Sequence, residues 1–489
     1  MIREIKRSFF IFGVLSVSLT GLVQAAPAKK EKKEKQQTIQ ELFAAEKYDE
    51  ALKKARALAK KGDAEALYLL GFSSETGRGT ERSIKTAMDF YQQAKTKGSS
   101  DAAYRICFLQ LASQDQKERD QAITSLKEMA KKDPAVAGRI LGEAYLSGKA
   151  SEKPDPEQAL EWWEKAGKAN DIPSLIFLAD FYEGKLGSEK MADLSRAVSA
   201  LKRAAELGHG TAMLRLGTQL LHGAGEIRDA ALGEQWLEKA AATKQPDAHW
   251  FLGIYAENGK KDDKAALKHY ENGQAAGQLA CAAQVGIFYL QGRAVEKDEK
   301  KGIEILKKAA EEGGPLAHYQ LALLELRKEK PDDRVAHQHL VQAASGNLAA
   351  AQNEIGVFYL SGKFLERDPV AAVAWFSRAV QQRHAQAANN LAKLYERGIG
   401  TEKNLTLAAN LYTMAAEQGH PEATLSLAIL HANDASSDLP RAWALAKYAE
   451  QLGEKKESAN VLKQLEAKMT PEQLAKGKAE FAKTQPSKP

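Results

Sequence analysis

Eleven stretches of this 489-residue chain carry one and the same mark, and a compact single core does not repeat itself in that way. The mark is an apolar residue followed by Gly or Ala, with a small residue five positions before that second member. It falls at Gly71, Cys107, Gly142, Ala179, Gly217, Gly253, Gly286, Ala322, Gly356, Ala392 and Ala428. The small partners are Ala66, Ala102, Ala137, Ser174, Ala212, Ala248, Cys281, Ala317, Ala351, Ala387 and Ala423. Successive marks stand 33 to 38 residues apart, which is the length of one supersecondary unit. Such a unit cannot bury its apolar face alone, so it predicts neighbours of its own kind.

Ala385–Pro421 shows the unit most clearly. It reads as two short amphipathic helices joined by a loop that holds Gly398 and Gly400. Ala387, Ala392, Ala408, Ala409, Ala415 and Ala416 allow the helices to touch, while Leu391, Tyr395, Leu411 and Tyr412 supply apolar volume. Second helices carry a bulky pair, as in Trp162-Trp163, Trp236-Leu237, Trp375-Phe376 and Leu411-Tyr412, and Trp162, Trp236 and Trp375 read as core. Eight residues after the first of each pair, the helix should stop, at Asn170, Lys244, Arg383 and Gly419. Gly98, Gly208, Gly277, Gly313 and Gly453 close other units, because a helix commonly ends in a left-handed residue. Asp155-Pro156 and Asp368-Pro369 read as an N-cap followed by a first-turn proline.

The ends differ from the array. Met1–Arg7 is basic, Ser8–Val23 is apolar, and Val23-Gln24-Ala25 precedes Ala26. That is the three-part pattern of a secretory signal peptide, whose apolar run is shorter than the roughly 20 residues a spanning helix needs. The expected organisation is a leader over 1–25, a charged linker over 26–37, a partial repeat over 38–62 and the repeat array over 63–453. Capping helices over 454–484 and a frayed tail over 485–489 complete it. The expected location is periplasmic or secreted, with no integral membrane segment once the leader is cleaved.

Charge excludes one class of partner. Lys and Arg number 70 against 64 Asp and Glu, and of the formal +6 a net two belong to Arg3, Glu4, Lys6 and Arg7 in the leader. A nucleic-acid binder would concentrate basic residues on one element, and this chain does not. Cys107 and Cys281 stand near equivalent positions of units five apart and read as two separate buried thiols.

The recurring A-x-x-x-[LI]-[GA]-x-x-Y, G-x-G and A-x-x-W-[YF]-x-x-A-A-x-x-G segments resemble Sel1-like repeats, relatives of tetratricopeptide repeats. The resemblance covers about Ala64 to Gly453; the unit Asp101–Asp133 departs most, with Ile106-Cys107 and no glycine turn. It implies an all-α, right-handed α-solenoid of about eleven hairpins, its concave side lined by first helices. It also implies an adaptor that assembles protein complexes. A cysteine-rich branch of the family has β-lactamase-like chemistry, but its disulfide in nearly every repeat is missing from this chain.

No catalytic or metal motif stands out. His337 and His339 are two apart and would point about 200° apart on a helix. His209, His384 and His420 occupy equivalent turns between units, where a structural or solvated role is expected rather than ligation. No H-E-x-x-H, C-x-x-C, P-loop or G-x-S-x-G occurs, and neither enzymatic activity nor a cofactor is expected. Three residues before the mark stand Tyr68, Tyr104, Trp250 and Tyr319, which would align along the array, either as packing between units or as anchors for an extended peptide or glycan. Arg139, Asn353, Asn389 and Lys393 are the polar candidates beside them. The reading is a non-enzymatic scaffold for protein partners in a bacterial envelope; the alternative is binding of peptidoglycan or exported polysaccharide.

Overall fold

A computed structural model describes residues 38–223, 225–362, 366–433 and 438–484. The leader, the linker and the terminal tail read from the sequence lie outside these residues. Within them the chain forms 26 α-helices and no strand. No described helix is long and apolar enough to cross a membrane.

The chain divides into two compact units, residues 1–219 and 220–489. In the first, helices Ile39–Ala44 and Tyr48–Ala59 form a short hairpin ahead of the array. Four full hairpins follow, over 64–96, 100–132, 134–168 and 172–206. In the second, helix Ala230–Ala242 precedes six hairpins over 247–275, 279–311, 315–345, 349–381, 385–416 and 421–452. Helices Lys455–Glu466 and Pro471–Thr484 close it, the last entered through a capping box in which Thr470 and Gln473 bond reciprocally. Helix Gly210–His222 carries the fifth register mark, the other ten marked units are helical hairpins, and the fold is that of an α-solenoid.

The register residues explain the close stacking. All eleven small partners, from Ala66 to Ala423, are completely buried. A helix can approach there only because the side chain is no larger than a thiol. At the mark itself the fit is tighter still. A Cβ built on Gly71 would lie 2.6 Å from the Tyr91 ring, on Gly142 2.3 Å from Trp163, on Gly253 2.3 Å from Tyr270 and on Gly356 2.6 Å from Phe376. Each glycine therefore seats the large residue of its own second helix. Where the mark is Ala322, the cluster it joins is filled by Leu340 instead.

This contact corrects the expectation for the tryptophans. Trp163 is fully buried, whereas Trp162 is half-buried with Lys165 Nζ 4.2 Å from its ring centre. Likewise Phe376 is buried while Trp375 is half-buried under the Arg378 guanidinium. Neighbouring helical positions are separated by about 100°, so only one of each pair can face the glycine. Trp236 is buried as expected, and so is Leu237 beside it.

Helix ends follow local chemistry. Ten of the eleven second helices of the marked hairpins start on a hydroxyl or carboxylate cap, from Ser83 and Asp115 through to Asp368 and Asp438, and the eleventh on Asn404. The closing position is left-handed in every unit predicted to need it, glycine or not: φ is +66° at Asn170, +60° at Lys244 and +59° at Arg383.

Candidate partner-binding face

First helices touch one another along the stack. In the first unit Ser100–Leu111, Pro134–Leu146 and Ile172–Tyr182 contact in turn; in the second, Asp247–Ile254, Leu279–Gln291 and Pro315–Leu326 do. Residues three before the mark project from these helices, so the structure can sort the candidates one by one.

Tyr68 and Trp250 are partly exposed, but their rings pack on the core rings of their own hairpins. Tyr68 lies 5.5 Å from Tyr91 and Trp250 5.9 Å from Tyr270, centre to centre. Tyr319 packs its ring against the cluster of Ala322, Leu340 and Phe358 and stays half-exposed. Tyr104 is half-exposed, among Asp101, Asp133 and Arg139. Burial raises the hydroxyl pKa of all three tyrosines, so each remains a neutral donor at neutral pH.

The polar candidates make contacts within the fold, and two of them, Asn353 and Asn389, are buried rather than presented to solvent. Asn389 is 0% exposed and donates through Nδ2 to Glu422 Oε2 at 2.9 Å. Lys393 pairs with the other oxygen of the same carboxylate. Asn353 is 4% exposed and accepts from Asn390 Nδ2 at 3.0 Å. Arg139 Nε stands 3.3 Å from Asp171 Oδ2, both side chains largely buried. In each case the partner is a residue of the next hairpin, and the contact holds register.

Similar links were not foreseen. Glu75 receives the Tyr91 hydroxyl at 2.8 Å and Arg105 Nε at 2.7 Å, tying both helices of one hairpin to the next. Glu257 does the same with Tyr270 and with Arg293 Nη1, at 2.8 and 2.6 Å. Asp180 and Glu183 together hold Arg215, at 2.6 and 2.9 Å. A signal was present: Glu75, Glu183, Glu257 and Glu396 each stand four residues after a mark. With one fixed carboxylate in phase, an arginine roughly one repeat further on is its natural neighbour.

The histidines of the inter-unit turns have a definite task. Nδ1 of His209, His384 and His420 accepts from the backbone N–H of Ala212, Ala387 and Ala423, at 3.2 Å in each case. They act as N-caps of the following first helices. Burial lowers the pKa of all three, which keeps Nδ1 free to accept. Both cysteines are buried and free, and burial pushes the Cys107 thiol up to about 11 and that of Cys281 to about 12.

Comparison with known proteins agrees with this geometry. The Sel1 repeat model matches nine segments: 64–99, 139–171, 172–209, 210–242, 246–273, 279–314, 315–348, 349–384 and 385–420. The divergent hairpin over 100–132 and the one over 421–452 lie outside the matched segments and still fold as hairpins. The chain is 26% identical over 276 residues to the chitin synthase regulator SKT5 of Saccharomyces cerevisiae, a match covering 53% of this chain and 39% of that protein. It is 27% identical over 272 residues to chitin synthase regulatory factor 3 of Schizosaccharomyces pombe, covering 53% and 29%. The chain thus spans well under half the length of these two relatives. Among solved structures, a protective antigen of uropathogenic Escherichia coli with an SLR fold is 24% identical, with a TM-score of 0.46 over 90% of this chain and 98% of that one. Since the matched repeats occupy more than half of its residues, the chain belongs to the Sel1 repeat family.

Proposed function

We propose that this protein is a non-catalytic adaptor that holds protein partners on the first-helix faces of its two units. The observation that carries the reading is the half-exposed aromatic side chain recurring three residues before the mark. Tyr104 in the first unit and Tyr319 in the second are two of its instances. Aromatic rings on a rigid helix offer large contact area at small entropic cost, which is what anchor residues need. The two curated relatives are named as regulators of an enzyme, in keeping with a protein that acts on another protein. The three-part leader supports export, with the mature chain starting at Ala26 in the periplasm or beyond.

The test is capture of partners from the native source by the full mature chain and by a Tyr104→Ala/Tyr319→Ala variant. The reading expects the variant to lose captured proteins while its melting temperature barely moves. Equal capture would overturn it. Retention of the chain on purified cell-wall sacculi, without other proteins, would replace the protein partner with a glycan.

A further inference from the structure

Among the second helices of the marked hairpins, ten start on an aspartate or a serine whose oxygen accepts from the first-turn backbone. The helix Leu405–Ala416 starts on an asparagine instead. Asn404 Oδ1 accepts from the Leu407 N–H at 2.9 Å, and the Asn404 N–H donates to the Tyr395 carbonyl at 2.8 Å. A cap of this kind needs only an oxygen. What the asparagine adds is Nδ2, which has no hydrogen-bond partner among the described residues. The residue is exposed and its backbone is extended, with φ −146° and ψ 97°.

The surrounding sequence gives that spare nitrogen a chemical meaning. It reads Glu402-Lys403-Asn404-Leu405-Thr406. An asparagine two residues before Ser or Thr, with no proline between, is the acceptor pattern for N-linked glycans and belongs on the surface of an exported chain. No other asparagine of this chain has Ser or Thr at that place. Glu402 also supplies the acidic position, two residues before the asparagine, that the bacterial form of the pattern adds. All five residues are exposed, and the Thr406 hydroxyl has no hydrogen-bond partner among the described residues. Leu405 and Leu407 beside the cap are 48% and 41% exposed. A sugar ring held on Nδ2 lies over this turn and takes part of their apolar surface out of water.

We propose that Asn404 is an N-glycosylation site, loaded by a separate transferase from an oligosaccharide carried on a lipid pyrophosphate. The Nδ2–C1 bond forms as the C1–O bond to the pyrophosphate breaks. The lipid pyrophosphate leaves with the bonding pair, and Nδ2 gives up one of its two protons to a base of the transferase. Oδ1 is untouched, so the modified side chain still caps the helix. The inference rests on the export read from the leader.

The test is mass spectrometry of the full mature chain purified from its native source, with fragmentation of the peptide that holds Asn404. An intact mass above that of the sequence by one oligosaccharide is expected, with fragments that place the sugar on Asn404. Asn404→Asp keeps a capping oxygen, and Thr406→Ala keeps the asparagine; each should lose the added mass completely. Circular dichroism verifies that both variants fold. The N-terminus is sequenced in the same preparation. A chain that starts at Ala26 and carries a bare Asn404 would overturn the glycosylation and leave export standing. A chain that starts at Met1 with a bare Asn404 would overturn both. The same added mass in both variants would also overturn the assignment to Asn404.

Discussion

The glycine at 142 and the indole of Trp163 share a space that admits no methyl group: a Cβ on Gly142 would stand 2.3 Å from Trp163 Nε1. Trp163 is entirely buried, so the ring cannot swing aside. Gly142→Ala should therefore destabilise the first unit by about 1–3 kcal/mol through overpacking, even though alanine is the better helix former. Adding Trp163→Leu should recover part of the loss, since Ala322 and Leu340 already share a cluster in another hairpin. Urea unfolding followed by circular dichroism measures both variants. An unchanged midpoint for Gly142→Ala would mean that the ring is not held there.

Lys244 closes its hairpin with φ at +60°, in a place where Gly98, Gly208, Gly277 and Gly313 adopt the same hand. A Cβ at those four glycines would meet nothing within 4 Å, so the backbone alone decides the preference. Lys244→Gly should stabilise the chain by about 1 kcal/mol, because left-handed backbone costs a non-glycine residue roughly that much. Gly277→Ala should cost a similar amount. Thermal melts of the two variants are expected to shift in opposite directions.

The histidine caps give stability a defined pH dependence. His384 accepts from Ala387 N–H, and burial together with His420 lowers its pKa. The unfolded chain then takes up its proton at a higher pH than the folded one. Stability is complete above the ordinary histidine range, near pH 6.5, and falls as the pH drops below it. His384→Ala should cost about 1 kcal/mol at pH 8 through loss of the cap, and His384→Asn should keep the cap while flattening the acid limb. Denaturation midpoints from pH 5 to 8 test both; an unaltered acid limb in His384→Asn would assign it to other groups.

Glu143 acts with the opposite sign. Burial pushes its carboxyl up to about 7, Asp171 adds to the rise, and Arg139 and Lys149 oppose it. The folded chain therefore holds this proton where the unfolded chain has released it. Its contribution is lost as the pH rises from the ordinary carboxylate value, near 4.5, through 7. Glu143→Gln should be more stable than the unmodified chain at pH 8, by on the order of 1–3 kcal/mol, and should converge with it at pH 5. A difference that grows toward acid would contradict the assignment.

The hairpins were legible because stacking imposes the same demand eleven times, and a small residue in phase is visible without any partner. The phase within a pair was not. Trp162-Trp163 offers two rings to one glycine, and only the contact with Gly142 decides between them. Asn389 failed for a related reason. A polar residue on a first helix can face solvent or the next hairpin, and Glu422, which receives it, lies 33 residues away. The inter-hairpin ion pairs were hidden by the same separation, although the recurrence of Glu four residues after the mark was there to be read.

The adaptor reading is tested most directly by asking which face of the stack touches other proteins. A photo-crosslinking amino acid placed at Tyr104, at Tyr319 or at Leu405, an exposed residue on a second helix, reports contacts in the native compartment. The account predicts discrete protein adducts from positions 104 and 319 and none in common with position 405. Adducts equal from all three positions, or none from the first-helix positions, would contradict it.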